Sequence, residues 1–263
     1  RYGFMVRALL VSVIIGIICP IIGIYVVIRG LAFMGDALAH AVLPGIVIGL
    51  LLGISPLMAG IPMAILIAFL IGYLSRRTGV SEDTAIGILF AALFALGLVM
   101  LKLSDGLGVN LEDILLGQVL AVSLQDVIIT LTLAIGVLLV LYLFHKELVF
   151  TSFDPQGATV IGLPTSLFNY LLLILLALVI ITALKAVGIV LVMAMLVTPA
   201  AAAYLLVRSF RAMLITGSLM GVSAAIAGIY LSYYLNIPSG PAMTLAAVAI
   251  FAVVAGFKRK VSA

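Results

Sequence analysis

Apolar residues run along this chain in blocks of about 18 to 25, the length an α-helix needs to cross the hydrocarbon of a bilayer. Polar, glycine- or proline-bearing segments punctuate them. The blocks fall near residues 5–28, 31–53, 56–74, 84–103, 127–144, 167–184, 187–207, 212–234 and 239–257, which predicts nine membrane spans. A further apolar piece, Ile114 to Val122, is too short to cross and reads as re-entrant or interfacial. The first block is long enough to span and reads as a helix that stays, not as a cleavable signal. No repeat, low-complexity tract or linker divides the chain, so the expectation is an all-α polytopic bundle forming one transmembrane domain over 1–263.

Composition carries the same message. Of 263 residues, 66% are hydrophobic and 8% charged, against roughly 45–50% and about 25% in a soluble domain. The net charge of +4 therefore speaks first of orientation and not of nucleic acid. Arg29, Arg76, Arg77, Lys146, Arg208, Arg211, Lys258, Arg259 and Lys260 fall on one side of the predicted spans, and Arg1, Arg7, Lys102 and Lys185 on the other, nine against four. Basic residues favour the cytoplasm, which puts the first group and the C-terminus inside. An odd number of spans then leaves the N-terminus outside, where Arg1 and Arg7 run against the bias. Cys19 is the single cysteine and lies within an apolar block, so it reads as a small buried hydrophobe and offers neither a disulfide nor a CxxC metal site.

One stretch stands out chemically, Gly35 to Gly53, GDALAHAVLPGIVIGLLLG. Asp36 and His40 are four positions apart, so on a helix they share a face with roughly 5–6 Å between Cβ atoms, within reach of one cation. Carboxylate oxygen and imidazole nitrogen suit first-row divalent metals, and neither belongs in hydrocarbon without a reason. Blander roles compete: Asp36 as a helix N-cap after Gly35, and His40 as a hydrogen-bonding partner of a neighbouring helix. Two ligands are also fewer than zinc or manganese takes. A two-fold axis between two copies, or two related subunits, would repair the shortfall with two carboxylates and two imidazoles. Pro44 cannot donate to the His40 carbonyl, so a kink with a bare carbonyl is expected there. The small residues Ala37, Ala41, Gly45, Gly49 and Gly53 form a stripe suited to close helix approach. Gly16 and Pro20 predict a bend in the first span by the same reasoning, and Pro199 is a further kink and packing position.

Outside the spans two segments carry polar chemistry. Ser104 to Asp113 with Asp126 gathers Asp105, Glu112, Asp113 and Asp126 on the external side, either a solvated patch or a docking surface for a soluble partner. On the cytoplasmic side, about 145–166, HKELVFTSFDPQGATVIGLPTS places Asp154 to N-cap a helix, Pro155 at its first position, and Gly162 with Pro164 to end it, about two turns in all. Such a helix packs either on a partner or on lipid headgroups. His145, beside Lys146 and Glu147, reads as a surface or cap residue.

The chain contains no GxxxxGKS or GxxxxGKT phosphate loop, no HExxH and no GxSxG, so the common nucleotide-cradling and hydrolase signatures are missing. Four stretches, GLAFMGDALAHAVLPGIVIG, SEDTAIGILFAALFALGLVM, SFDPQGATVIGLP and VGIVLVMAMLVTPAAAAYLL, resemble in that order the permease subunits of bacterial metal ABC importers for zinc, manganese or iron, from about Arg7 to Phe257. The resemblance implies a type II importer permease with no enzyme activity of its own, in the bacterial inner membrane. It implies a second permease subunit, a cytoplasmic ATPase dimer that binds ATP, and an extracytoplasmic metal-binding protein, with no nucleic acid. By position it makes Asp36 and His40 metal ligands in the pathway, and puts the coupling contact around Phe153, Asp154, Pro155, Ala158 and Gly162. The cargo is a divalent metal ion, with no permanently bound cofactor. The residues alone leave room for an ion-gradient carrier using Asp36 as a proton site, for a cobalamin or siderophore permease of the same architecture, and for a membrane scaffold without transport.

Overall fold

The computed structural model describes residues 3–104 and 122–261, all helix and connecting turn. In chain order the helices are α1 (Gly3–Ile28), α2 (Met34–Ala41), α3 (Leu43–Leu51), α4 (Pro56–Thr78), α5 (Glu82–Leu103), α6 (Leu124–Leu143), α7 (His145–Phe153), α8 (Pro155–Val160), α9 (Thr165–Val187), α10 (Ile189–Leu206), α11 (Phe210–Leu235) and α12 (Ser239–Val261). Among the described residues eight segments are long and apolar enough to cross a membrane, with Met34–Leu51 counted as one, and Leu191–Leu206 is a shorter apolar helix. The chain is thus a polytopic all-α membrane protein. The predicted re-entrant piece over 114–121 and the acidic loop residues Asp105, Glu112 and Asp113 lie outside the described residues. Asp126 is described, in the first turn of α6, where it accepts from the Ser123 hydroxyl at 2.7 Å and backbone N–H at 3.1 Å.

Span ends shift where local chemistry outweighs the apolar pattern. α4 runs on past residue 74 through Arg76 and Arg77 until Gly79, whose left-handed backbone closes the helix with its N–H on the Ser75 carbonyl. α5 starts at Glu82 because the Ser81 hydroxyl caps it, accepting from the Thr84 N–H at 3.2 Å, and the acids Glu82 and Asp83 suit a helix N-terminus.

The described chain packs as two compact units. The first comprises α1, α10, α11, α12, the beginning of α6 and the last residues of α9. Its crossings are built on missing side chains. A Cβ on Gly16 would lie 2.9 Å from the backbone of Gly221, and one on Gly23 would run into the Leu196 carbonyl oxygen. Pro20 deprives the Gly16 carbonyl of its helical donor. A Cβ on Gly221 would strike that oxygen, so the Cα–H occupying the place of a side chain points at the carbonyl that Pro20 leaves without an N–H. Cys19 of α1 is fully buried. α10 continues through Pro199, and the alanines that follow, of which Ala200, Ala202 and Ala203 are buried, keep it thin enough to lie on α1. Ile24, Ala200, Ala203 and Met213 form a closed cluster, with Tyr25 edge-on to Phe210 at 5.0 Å.

The second unit comprises α2–α5, α7, α8, most of α9 and the remainder of α6. α5 packs on α2, α3 and α4. Gly97 of α5 sits on the Leu43 side chain, where a Cβ would come within 2.8 Å, and Gly60 and Gly72 of α4 receive Ile181 and Tyr170 of α9. At the same end the Asn169 side-chain amide donates to the Glu82 carboxylate, and Arg76 lies 5.4 Å over the Tyr170 ring. The α4–α5 turn is thereby tied to the start of α9.

The glycine seams make a direct prediction. Gly23→Ala and Gly221→Ala place a methyl against backbone that cannot rotate away, and each destabilises the protein by about 1–3 kcal/mol. Thermal melting of the detergent-solubilised chain checks this: both melt below wild type, whereas Gly87→Ala, facing open space, does not.

Candidate functional site

α2 is only eight residues long and carries the two groups of interest, Asp36 in its first turn and His40 in its last. The kinked helix expected over 31–53 appears as α2 and α3, one apolar span over Met34–Leu51 interrupted at the single residue Val42, whose backbone stays right-handed helical at φ −75° and ψ −13°. Val42 ends α2 and leads into α3, whose first turn takes Pro44 where a missing N–H leaves nothing unsatisfied. The Val42 N–H keeps the ordinary helical bond to the Leu38 carbonyl at 3.2 Å and the Ile46 N–H continues onto Val42 at 3.2 Å, while the His40 carbonyl that Pro44 cannot serve has the Val42 N–H two residues on beside it. Asp36 is not the N-cap either: Phe33 holds that position, with no side-chain cap bond, and the carboxylate sits inside the first turn. There it favours the positive end of the helix while remaining uncommitted to a backbone N–H.

The His40 ring is oriented from two sides. Nδ1 lies 2.9 Å from the Asp36 backbone carbonyl and 3.5 Å from its Oδ1. A carbonyl only accepts, so Nδ1 carries the proton and the lone pair stands on Nε2, the tautomer of a metal-ligating histidine. From α5, Phe90 and Phe94 meet the imidazole edge to face, at 5.6 Å and 79° and at 5.1 Å and 88°. The side chains of His40 and Asp36 are 19% and 29% exposed, so both reach the surface of the unit from a segment otherwise buried. Among the described residues no group of three or more His, Cys, Asp or Glu side chains assembles. Asp36 and His40 thus stand, among the described residues, as a pair, with no third side chain of these types beside them.

The small-residue stripe divides by role. Ala37 and Ala41 are buried, Gly49 is buried on α3, and Gly45 admits α4, where a Cβ would come within 2.5 Å of Met63. Gly53 packs against nothing. Its φ is +67°, and the Gly53 and Ile54 N–H groups close onto Leu50 and Gly49, so the glycine terminates α3 instead of admitting a helix. The two aromatic partners of His40 escaped the sequence reading, although Phe90 and Phe94 are four apart and share a face of α5.

The segment 145–166 folds as two helices where one was expected. α7 begins at His145 and buries Leu148, Thr151 and Ser152. In α8 the Asp154 carboxylate accepts from the Gly157 N–H at 2.8 Å, Pro155 takes the first turn, and Ala158 is buried. Gly162, at φ +83°, ends it, with Gly162 N–H on Thr159 and Leu163 N–H on Ala158. Phe153, Val160 and Ile161 remain exposed around this helix, at 58%, 86% and 66%.

Comparison with known proteins places this arrangement. The sequence matches the ABC 3 transport family over residues 1–258. The chain belongs to that family. It is 45% identical to the manganese transport system membrane protein MntC of Halalkalibacterium halodurans over 259 residues, 98% of this chain and 89% of that protein. It is 41% identical to the chelated iron transport system membrane protein YfeD of Yersinia pestis over 252 residues, 96% and 84% of the two. The structure of PsaBC from Streptococcus pneumoniae in complex with Fab superposes with a TM-score of 0.86 at 35% identity, covering 97% of this chain and 91% of that one. As a member of the ABC 3 transport family, the chain is a membrane-spanning transport subunit.

The capping of α8 gives a local prediction. Asp154→Ala removes the acceptor of the Gly157 N–H and costs about 1 kcal/mol of helix stability, while Asp154→Asn retains most of it. Hydrogen exchange of the α8 amides reads this out, faster in the alanine variant only.

Proposed function

We propose that this chain is the permease subunit of an ATP-binding-cassette importer that moves a divalent transition metal ion, manganese, iron or zinc, into the bacterial cytoplasm, with Asp36 and His40 as ligands along the path. The observation that carries the reading is the α2 pair: an uncommitted carboxylate and an imidazole presenting Nε2, both at the surface of an apolar segment. A carboxylate there is costly against lipid and calls for water, protein or a cation beside it. Relatives named for manganese and iron transport agree with an oxygen and nitrogen donor set, which suits those metals and zinc alike.

The whole chain acts as one permease domain in the inner membrane, its C-terminus in the cytoplasm with the larger group of basic residues. A second permease subunit, identical or closely related, faces it across a two-fold axis and brings the donors to two carboxylates and two imidazoles. An extracytoplasmic metal-binding protein delivers the ion. A cytoplasmic ATPase dimer binds and hydrolyses ATP and grips the α7–α8 region through Phe153, Asp154, Pro155 and Gly162, Ala158 holding α8 in place from within. Exposed Phe153, Val160 and Ile161 offer the apolar contact such a grip needs. ATP-driven closure then rocks the helices between outward- and inward-open packings, and the metal passes with part of its water shell replaced by the four side chains.

Asp36→Ala and His40→Ala each reduce ATP-dependent uptake of Mn²⁺ to background in liposomes containing permease, ATPase and binding protein, with the protein still present at normal abundance in the membrane. Ordinary accumulation by either variant contradicts the ligand assignment. Uptake by the chain alone on a proton gradient, without ATPase, contradicts the importer.

A further inference from the structure

We propose that Phe90 and Phe94 of α5 are positioning residues for the transported ion, holding the His40 ring so that Nε2 keeps one direction; this rests on the reading of His40 as a metal ligand. His40 sits in the last turn of α2, just before the interruption at Val42, and its carbonyl is the one that Pro44 leaves without the usual helical donor. Its polar tether runs from Nδ1 to Asp36, with the carbonyl at 2.9 Å and Oδ1 at 3.5 Å, and fixes the tautomer. By itself it works as a hinge about which the ring can tilt.

The second restraint is the phenylalanine pair. Phe90 and Phe94 stack on each other at 5.8 Å and 15°, making a nearly flat double wall one helical turn long. The imidazole stands almost perpendicular to both rings. Edge-to-face contact of this kind favours a definite orientation through the ring quadrupoles, which an aliphatic side chain of equal bulk does not supply. Phe33 adds a third ring edge-on to Phe90 at 6.4 Å, and the Gly97–Leu43 contact keeps α5 close to the α2–α3 break. Turning the imidazole so that its N–H meets this wall would exchange a carbonyl acceptor for an apolar surface, which penalises the wrong ring orientation. The carbonyl and the double wall together therefore play the part that outer-shell partners play around metal-binding histidines.

Mn²⁺ binding to the purified permease–ATPase complex, followed by loss of the free-ion electron paramagnetic resonance signal, tests this without relying on transport. Phe94→Ala and Phe90→Ala raise the Mn²⁺ dissociation constant about ten- to hundredfold, the usual effect of losing an outer-shell partner. Phe94→Leu, which keeps bulk without a ring, behaves like the alanine variant, and Phe94→Tyr, which keeps the ring, binds like wild type. Should the alanine variants fail to assemble, the Leu and Tyr pair decides alone. Wild-type affinity in Phe94→Leu, or weakened binding in Phe94→Tyr equal to that of Phe94→Leu, overturns the positioning role. His40→Ala separates the two levels. If it binds Mn²⁺ as well as wild type, or if the wild-type complex binds none, the ligand reading falls; if it abolishes binding while the phenylalanine variants do not weaken it, only the present inference falls.

Discussion

Hydrocarbon offers no hydrogen bonds, so every interruption of a helix and every polar side chain within it must find its partner in protein, trapped water or cargo. The α2–α3 break is where this constraint presses hardest. A continuous helix over residues 34–51 would leave the His40 carbonyl without its donor, because Pro44 has no N–H. The interruption at Val42 marks this place, and the backbone carries on through it with the Val42 N–H on Leu38 and the Ile46 N–H on Val42. The pair thus lies where proline interrupts the regular ladder. The remaining polarity is met within the same stretch: the Asp36 carbonyl takes the Nδ1 proton, and only the carboxylate and Nε2 are left to look outward.

A second consequence of the same environment is reliance on shape. Apolar side chains gain little by leaving lipid for one another, so contact must come from fit. The glycines show it in each unit separately. Gly16, Gly23 and Gly221 bring α1 against α11 and α10 at backbone distance in the first, and Gly45, Gly60, Gly72 and Gly97 make room for the side chains of Met63, Ile181, Tyr170 and Leu43 in the second. Such seams also protect weaknesses: the Gly16 carbonyl that Pro20 strips of its donor lies in one of them.

The periodicity of apolar residues was enough to place nearly every span, because twenty or so hydrophobic residues in a row admit few other fates. It failed at ends governed by single residues, as at Gly79 and Ser81, where caps and charges extend a helix beyond its hydrophobic part. The interruption near Pro44 was legible from proline's missing N–H, whereas its exact place, the single residue Val42, was not. Gly53 illustrates the converse: small residues at regular spacing look alike, yet one of them serves a left-handed turn. Asp36 and His40 were legible because charge in an apolar block is rare. Phe90 and Phe94 were not, because phenylalanine in such a block is ordinary until a histidine from another helix is seen lying against it.

On the proposed ligand assignment, that last point bears on specificity. An ion held as proposed, by four side chains from two subunits, would depend on the direction of each donor as much as on its identity, and a carboxylate on a short helix has rotational freedom that an imidazole wedged between a carbonyl and two rings lacks. The rigid half of each pair therefore sets the geometry, and the flexible half adapts to it. Such a division suits a transporter better than a fixed cage would, since an ion that must leave again cannot be held by four immobile donors, whereas an entirely mobile set would not distinguish one hydrated cation from another. Aromatic packing around a single histidine supplies that intermediate stiffness without adding any charge to the membrane interior.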